Sequence, residues 1–490
     1  MRESRLTKVD PAKGNKGTET NKKKNDVFQN EFESDTSKMG TFTPAVEPGN
    51  IPVLQTAKLY PYKPKKFSAD YGSLGLNNAV LINRYQAYQN GSGPITLNSG
   101  SPLNGLISLG TSDLMEDIKF TGGFKLSTNL KDNEWLGNYQ NLKRRIDWGV
   151  SYYRNVQGLD VPKDSTFASL FLGKVFTNLY QVNVAYPFNN NKSIRISTGL
   201  RSDKTVVASG EQETLLFPDI KKMYSVSHIE YVYDNSLKPA MNIWEGLRYK
   251  VFFDYNKQVS KQKKGVGPST YNLGFDARYY YPIYRHFTWA LRGAADFSWG
   301  NQKMIYYLGG VDGWLMFGPN QKFDAMGNPK GERFFNTNNP PDQDQDYAFQ
   351  SLAVNMRGFI QNVANGNNAL VINSEFRLPI ISTFFDKTVN NAFIRNFQLI
   401  QFTDFGAAWN GKYDKITRPT MVFADPVNSG QTPPVLVKVK AGGIGPLAGG
   451  YGFGARSTLL GYFLKFDAAW QMNGFFKGKP IMYFALGLDF

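Results

Sequence analysis

Long runs in which apolar and polar residues alternate strictly are the feature that most restricts how this chain can fold. In segment 247–256 the odd positions are Leu, Tyr, Val, Phe and Tyr, whereas most even positions carry charges or an amide. Side chains of a strand point alternately to its two faces, so one face is apolar and the other polar. Strands of soluble sandwiches average about five or six residues. The runs here reach about nine to eleven residues, the length that crosses a bilayer when tilted.

The composition agrees with a barrel that crosses a membrane through its strands. Aromatic residues make up 15% of the chain, yet the mean hydropathy is only -0.40. No stretch of eighteen apolar residues occurs, which excludes a transmembrane helix. In lipid, every backbone group needs a partner within the protein, so a sheet there must close on itself. The sequence therefore predicts an all-β fold, a 16-stranded antiparallel transmembrane β-barrel.

The alternation divides the chain into a polar segment, 1–66, and a barrel, 67–490. The first segment is rich in Lys, Asn, Thr and Pro, with little apolar periodicity, so we expect a disordered or extended linker. The sixteen strands are expected to start near 68, 103, 118, 145, 177, 193, 223, 243, 270, 286, 303, 369, 396, 448, 461 and 480. Short connections alternate with long ones, and the longest gaps are 157–176, 209–222, 311–368 and 411–447.

The first twenty residues lack the apolar core of a signal peptide. An exported protein requires such a signal, so the chain is expected to be part of a longer precursor or a trimmed form. The linker is also too polar for the folded modules that precede some barrels.

The net charge of +16 and the absence of cysteine restrict the partners. Disulfides and thiolate zinc sites are excluded. A basic chain suits solubility, nucleic acid or an anionic lipid surface. No nucleic-acid motif occurs, so we favour outer-membrane lipids, including an anionic outer leaflet, or a partner in the lumen.

The sequence offers no catalytic apparatus. His228 and His286 are the two histidines, and no nucleophile elbow, phosphate loop or dinucleotide fingerprint occurs. The acidic run Asp342–Asp346 resembles the start of a calcium loop. It lacks the glycine and the glutamate of that loop, so a solvated acidic loop is the more common interpretation. We therefore expect neither an enzyme nor a bound metal or cofactor.

Arg357, Gly358 and Phe359 lie in a glycine- and asparagine-rich stretch followed by two alternating strands. Those strands carry Glu375 and Asp404 on the face opposite their neighbouring phenylalanines. If the strands are adjacent in a closed sheet, both acids point into the lumen. An arginine folded back onto them would form charge-assisted hydrogen bonds.

This pattern resembles the BamA/TamA-type outer-membrane barrel superfamily, also called the bacterial surface antigen family. The resemblance implies that the R-G-F loop lies inside the lumen and meets acids on the following strands. The segments Y-Y-L-G-G-V-D-G-W-L and G-F-G-A-R-S-T-L-L-G-Y-F-L-K-F-D-A-A-W are similar to the strand entering that loop and to the penultimate strands. Arg456 and Asp467 in the latter segment would extend the lumen network or remain as solvated lumen charges. The narrower resemblance is to the barrel half of TolB-like propeller–barrel fusion proteins.

The C-terminal strand F-A-L-G-L-D-F completes the resemblance. Phe484, Leu486, Leu488 and Phe490 share one face. A terminal aromatic residue on an alternating strand resembles the assembly signal of barrel precursors. The plainer alternative is an ordinary strand that stops.

Three functions follow as hypotheses. The resemblance implies a bacterial outer-membrane barrel that takes part in protein insertion or translocation, with first and last strands that pair weakly. Gly72 and Gly75 in the first strand fit this hypothesis, whereas the lack of preceding modules counts against full insertase activity. The second hypothesis is a non-catalytic membrane anchor for a periplasmic propeller or an assembly partner. The third is a narrow diffusion pore.

Overall fold

A computed structural model of the protein describes most of the chain after residue 66. The described residues are 67–76, 85–88, 104–127, 132–162, 170–208, 218–260, 267–317, 321–323, 329–386, 389–413, 420–424, 436–440, 447–472 and 478–489. The predicted linker, 1–66, lies outside them. Within these ranges no helix is long and apolar enough to span a membrane.

The described residues are dominated by strands, as the alternation predicts. In chain order these are β1 (Phe67–Leu76), β2 (Gln86–Ala87), β3 (Asn104–Asp113), β4 (Ile118–Ser127), β5 (Asn133–Asn141), β6 (Asp147–Pro162), β7 (Leu170–Asn189), β8 (Lys192–Val207), β9 (Ile220–Asp234), β10 (Leu237–Ala240), β11 (Ile243–Gln258), β12 (Ser269–Tyr284) and β13 (Phe287–Gly300). They continue with β14 (Lys303–Tyr307), β15 (Gln321–Phe323), β16 (Pro329–Glu332), β17 (Tyr347–Leu352), β18 (Asn365–Gly366), β19 (Asn368–Pro379), β20 (Gln398–Trp409), β21 (Thr420–Ala424), β22 (Leu436–Lys440), β23 (Ala448–Leu459), β24 (Tyr462–Gln471) and β25 (Ile481–Leu486). Two short helices, α1 (Ile380–Phe384) and α2 (Ala392–Arg395), separate β19 from β20.

One large antiparallel sheet forms the wall of the molecule. Its long strands pair with their neighbours along the chain, from β1 with β3 to β24 with β25. This sheet contains seventeen strands in the described part of the chain, not the predicted sixteen, because the short β10 joins the end of β11.

One predicted strand position was wrong, and one strand of the wall was not predicted. The strand expected near 303 is β14, which belongs to a different, four-stranded sheet with β17, β18 and β2. A wall strand without a prediction, β5, lies between β4 and β6.

The first and last wall strands remain unpaired with each other in the described residues, where no ladder joins β1 to β25. The outer edge of β25 instead pairs with a segment from the connection after β14. The Leu315 N–H donates to the Phe484 carbonyl at 2.8 Å, and the Leu486 N–H donates to the Gly313 carbonyl at 3.4 Å. Trp314 and Ala485 face each other between these bonds as an antiparallel bridge.

The two ends of the wall differ in how its strands are connected. One end carries short turns, such as 114–117 between β3 and β4 and 190–191 between β7 and β8, and we call it the short-turn end. The other end carries the longer connections. The predicted long gap 157–176 is partly strand, since β6 extends to Pro162 and β7 begins at Leu170.

Burial separates the two faces of the wall as the alternation predicts. On adjacent positions of β11 and β12, the outward Val251 and Phe275 are 40% and 42% exposed, whereas Asp254 and Asp276 are buried. Outward aromatic rings stack between neighbouring strands, for example Tyr271 with Trp299 at 6.0 Å. The outer face is therefore apolar and the inner face polar.

The four-stranded sheet lies against the inner face of the wall, and we call it the plug (residues 85–88 and 303–366). Its strand β14 pairs in parallel with β17, and β17 pairs with β2 from the connection between β1 and β3. Met304, Tyr306, Phe349 and Met356 of the plug form a buried cluster with wall residues such as Tyr153. The described core thus lies between plug and wall.

Candidate functional site

A tight turn of the plug brings the Arg357 motif onto the wall. The Met356 N–H donates to the Gly310 carbonyl, and the Gly310 N–H donates to the Phe359 carbonyl, both at 3.0 Å. Gly358 adopts a φ of 95°, and a Cβ there would lie 2.8 Å from the Trp470 carbonyl oxygen. Only glycine accepts this backbone conformation and this close approach without strain.

The Arg357 side chain binds two wall carboxylates. Its Nε and Nη2 donate to the two oxygens of Asp404 at 2.7 and 2.8 Å. Its Nη1 lies 2.7 Å from Glu375 Oε1. The Arg357 backbone N–H also donates to Asp404 at 3.0 Å. The structure therefore brings together the three charged residues that the sequence analysis selected.

Burial and aromatic contact strengthen this arrangement. Arg357, Glu375 and Asp404 are all nearly inaccessible to solvent, and the guanidinium carbon lies 3.7 Å from the centre of the Phe402 ring. Burial alone would lower the pKa of Arg357, but Asp404 and then Glu375 hold that pKa well above its usual range. The guanidinium therefore stays charged and its position is fixed by the wall.

Arg377 is a member of this cluster that the sequence analysis missed. Its Nε and Nη2 contact Glu375 Oε2 at 2.9 and 2.7 Å, so Glu375 is shared by two arginines. Arg377 could have been predicted from the sequence. It lies two positions after Glu375 on the same strand, and residues two apart on a strand share a face. The same rule identifies Asn373, which donates to Asp404 at 2.8 Å.

A second cluster joins the last strands. Arg456 binds Asp467 through Nη1 and Nη2 at 2.7 and 3.1 Å. It also donates from Nε to Asp489 at 2.8 Å, and Lys465 lies 3.8 Å from the same carboxylate. Arg456 and Asp467 are therefore buried partners rather than solvated charges. Asp489 was missed, although it alternates with Leu488 and Phe490 in the sequence.

Asn242 connects the chain end to a distant turn. It lies between β10 and β11, yet its side-chain amide donates to Asp489 at 2.9 Å and to Gln398 at 3.1 Å. Its carbonyl side-chain oxygen accepts the Asp489 N–H at 2.9 Å. No spacing in the sequence predicts this contact, since it depends on how the sheet curves.

Tyr483 of β25 also binds the Arg357 motif through hydrogen bonds. The Tyr483 hydroxyl donates to the Phe359 carbonyl at 2.6 Å and accepts the Gly358 N–H at 3.1 Å. Phe359 itself is buried in the core between plug and wall. Tyr483 was not predicted from the sequence, because it lies on the inward face of β25 whereas the predicted residues lie on the outward face.

The structure describes three of the four residues of the predicted assembly signal. Phe484 and Leu486 lie on β25 and are half-buried, and Leu488 follows the strand and is exposed. Phe490 lies outside the described residues. The Phe484 carbonyl accepts the Leu315 N–H of the plug connection, and the Phe484 ring lies 6.5 Å from that of Phe317.

The acidic run is only partly solvated. Asp342 is buried and accepts the Asp344 N–H at 3.1 Å, so it closes a turn. Asp344 and Asp346 are exposed. Across the described ranges, no group of three or more acidic or histidine side chains is arranged to hold a metal ion.

A cavity of about 650 Å³ lies beside the plug on the inner face of the wall. Its walls include Asn138, Ser151 and Asn183 from the early strands and Asp254 and Asp276 from later ones. His228 Nδ1 lies 2.6 Å from Asp254 on this wall. The cavity is lined by both polar and apolar side chains, and Arg357 is not among them.

The comparisons with known proteins concern the fold. No protein-family model matches the sequence, and no curated protein matches it. Among solved structures, BamA from Haemophilus ducreyi lacking POTRA domains 1-3 is similar at 13% identity and a TM-score of 0.48, over 85% of this chain and 69% of that one. BamA was named in the resemblance drawn from the sequence.

Two further solved structures are similar. CdiB from Escherichia coli matches at 10% identity and a TM-score of 0.45, over 87% of this chain and 63% of that one. CdiB from Acinetobacter baumannii matches at 9% identity and a TM-score of 0.39, over 85% and 65%. The chain therefore spans about two thirds of the length of these proteins.

Proposed function

We propose that this chain is a transmembrane barrel of the bacterial outer membrane that takes part in inserting or translocating proteins, as the resemblance to the BamA/TamA-type superfamily implies. The apolar outer face and charged inner face of the wall support the membrane assignment. In lipid the outer edge of β25 needs a partner, since exposed strand edges are not tolerated there. The proposal assigns no enzymatic chemistry to the chain.

The observation that carries the proposal is the pairing of β25. Its outer edge is held by the three residues Gly313–Leu315 of the plug connection. An open strand edge is a template for another strand, and extended segments bind such edges through main-chain hydrogen bonds. An edge held by so short a segment can exchange it for the strand of a client protein.

The Arg357 cluster has a supporting role in this proposal. It fixes the turn that lies between Gly310 and the wall, and the Gly310–Met356 bridge joins that turn to the segment ending at Leu315. Release of the segment can therefore occur while the body of the plug stays anchored.

The proposal is tested with a reversible disulfide that joins the plug segment to the outer edge of β25. Trp314 and Ala485 face each other at a pair without direct hydrogen bonds between them, where strands approach most closely. Replacing both by cysteine in this cysteine-free chain should permit a disulfide. The protein is reconstituted in vesicles, and insertion of a urea-unfolded small barrel client is followed by protease protection.

We expect the reduced variant to insert the client and the oxidised variant to lose most of this activity. The single variants Trp314→Cys and Ala485→Cys, treated with the same oxidant, are the controls. Equal insertion of the client by the oxidised and reduced forms would refute the proposal. If neither form inserts the client, ion conductance across the vesicles separates the narrow pore from the non-catalytic anchor.

A further inference from the structure

The rim at the short-turn end has two arcs that differ in their balance of exposed apolar and basic side chains. The arc beside β25 consists of the turns 114–117 and 459–462 and the helical segment 380–397. The opposite arc consists of the turns around 143–145, 189–192, 235–242 and 284–286. Both arcs lie at the same end of the wall, because each turn joins antiparallel neighbours at that end.

Large apolar side chains protrude from the first arc, which we call the apolar arc. Leu460 is 87% exposed, and the other members range from 58% to 75%. These members are Leu114, Met115, Phe384 and Phe385. The exposed acids Glu116 and Asp386 lie next to them in the sequence. Turns are normally polar, and clustered exposed apolar residues mark a surface that meets another apolar phase.

Leu460 occupies a backbone conformation that leucine disfavours. Its φ is 50°, and Gly461 after it has a φ of 83°. Two successive residues with positive φ are typical of a tight hairpin turn that favours Asn-Gly. A leucine here costs backbone strain and also exposes its side chain to solvent, so its presence points to a role outside the turn itself.

The helical segment holds its aromatic residues outward. Thr383 of α1 is buried, whereas Phe384 and Phe385 after it face away from the protein. The segment is fixed at both sides, by Arg285 bound to Asp386 at 2.9 Å and by Asn396 donating to Thr458 at 3.0 Å. The outward rings are therefore a stable feature of the rim.

The apolar arc continues the outer face of the wall. The outward Phe376 of β19 and Leu399 of β20 are 37% and 44% exposed, and their strands lead directly into the helical segment. This continuity identifies the same phase, hydrocarbon, as the occupant of both surfaces.

The opposite arc carries more exposed cations, beside exposed apolar side chains such as Leu237 at 69% and Tyr284 at 56%. Lys143, Arg144, Lys192 and Lys238 are exposed, and in the part of the chain that the structure describes none of them forms an ion pair. Arg145 lies over the Tyr186 ring at 5.0 Å and Lys238 over the Trp244 ring at 5.4 Å. The arc also contains the acids Asp147 and Asp234, but the basic residues outnumber them. Cations placed over interfacial aromatic rings fit the phosphates of lipid headgroups.

We propose that the apolar arc inserts into the hydrocarbon of the phospholipid leaflet at the short-turn end, while the opposite arc stays at the level of the headgroup phosphates. This inference rests on the proposed function, because it requires that the wall spans a membrane. The barrel then sits deeper on the side of β25 than on the other side.

Spin labels measure this difference directly. Single cysteines are introduced at Leu460 and Phe385 on the apolar arc and at Asn190 and Lys238 on the opposite arc, and each is labelled with a nitroxide. The protein is reconstituted in vesicles of phosphatidylethanolamine and phosphatidylglycerol. Collisions with oxygen report hydrocarbon, and collisions with a water-soluble nickel chelate report the aqueous phase.

We expect oxygen to dominate at positions 460 and 385 and the nickel chelate to dominate at positions 190 and 238. A label at Phe275, on the outward face of β12, tests the membrane barrel itself. If position 275 favours the nickel chelate, the proposed function fails together with the inference. If position 275 favours oxygen but positions 460 and 385 resemble position 190, the inference alone is overturned, and the apolar arc becomes a surface for a protein partner.

A conservative variant adds a second readout. Leu460→Asn suits the turn conformation, so the barrel should fold as before by heat-modifiable mobility. The label at position 385 should then collide less with oxygen, because a main contact with hydrocarbon has been removed. An unchanged ratio at position 385 would contradict a cooperative insertion of the arc.

Discussion

The late and early halves of the wall use their inner faces in different ways. From β19 to the residues that follow β25, the inner face and the motif contribute four acids and four bases that pair with one another. These are Glu375, Asp404, Asp467 and Asp489 with Arg357, Arg377, Arg456 and Lys465. From β5 to β8, the face that borders the cavity carries mainly amides and hydroxyls such as Asn138, Ser151 and Asn183. Its charged member Arg201 pairs with Asp203 at 2.9 Å.

This difference explains why the Arg357 turn of the plug docks on the late half. A buried charge without a partner is strongly destabilising, so the charged half must be covered by groups that complete its pairs. Arg357 supplies such a group. Neutral polar groups such as the Ser151 and Asn183 side chains, which are hydrogen-bonded at 3.0 Å, can instead face water. The cavity of about 650 Å³ borders these neutral groups on one side and charged residues such as Asp254 and Arg292 on the other.

The largest effect is expected from Asp404→Ala, which removes a carboxylate from the charged half. The change leaves the guanidinium of Arg357 with Glu375 alone and also removes the acceptor of the Arg357 N–H. We expect a loss of about 3–5 kcal/mol in the free energy of unfolding, reduced if water enters. Urea titration of the protein in detergent micelles measures it.

The control for this change is Asn183→Ala on the neutral half. Here the expected loss is within about 0.5 kcal/mol, as for substitutions away from buried networks. Similar losses for the two variants would show that the halves do not differ in the way described.

A smaller effect is expected from Gly450→Ala on β23. A Cβ at this position would lie 1.8 Å from the Arg357 carbonyl oxygen, so the turn of the motif must move. Overpacking of this kind costs roughly 1–3 kcal/mol. Gly293→Ala on β13 is matched to it, since a Cβ there meets no atom within 4 Å.

The two glycine variants are compared by urea titration and by proteolysis of the connection 303–366. Gly450→Ala should lower stability and expose the connection to protease, whereas Gly293→Ala should do neither. A stable, protected Gly450→Ala variant would mean that the motif does not rest on the wall at this point.

The smallest effect is expected from Tyr483→Phe. The hydroxyl bridges Gly358 and Phe359, so its removal should cost about 0.5–1.5 kcal/mol. Tyr279→Phe on the outward face is the control and should be close to neutral. If both changes cost the same, the last strand does not contribute to holding the motif.

The charged residues of the late half could be predicted from the sequence because they follow the two-residue periodicity of strands. Glu375 and Asp404 lie on the faces that alternation assigns, and Arg377 follows from the same rule. Asn242 and Asp489 are separated by 247 positions in the chain, and only the curvature of the sheet brings them together.

The errors in strand assignment also have physical causes. The Lys303–Tyr307 strand of the plug is buried on both faces, with Met304, Ile305 and Tyr307 inaccessible, so it shows an apolar run rather than alternation. The missed strand β5 has Gly137 at its centre and only Trp135 and Tyr139 as outward aromatic residues. Its apolar signal is too weak to stand out from a connection.

The second strand of the plug has a mechanical consequence. β2 comes from the connection between β1 and β3, yet it pairs with β17, and the flanking Tyr85 donates from its hydroxyl to Asp254 at 2.9 Å and accepts from Arg201 at 2.9 Å through its carbonyl. The connection therefore acts as a tether between the first hairpin and the plug. Displacement of the plug therefore requires either that the hydrogen bonds between β2 and β17 break or that β2 moves with it.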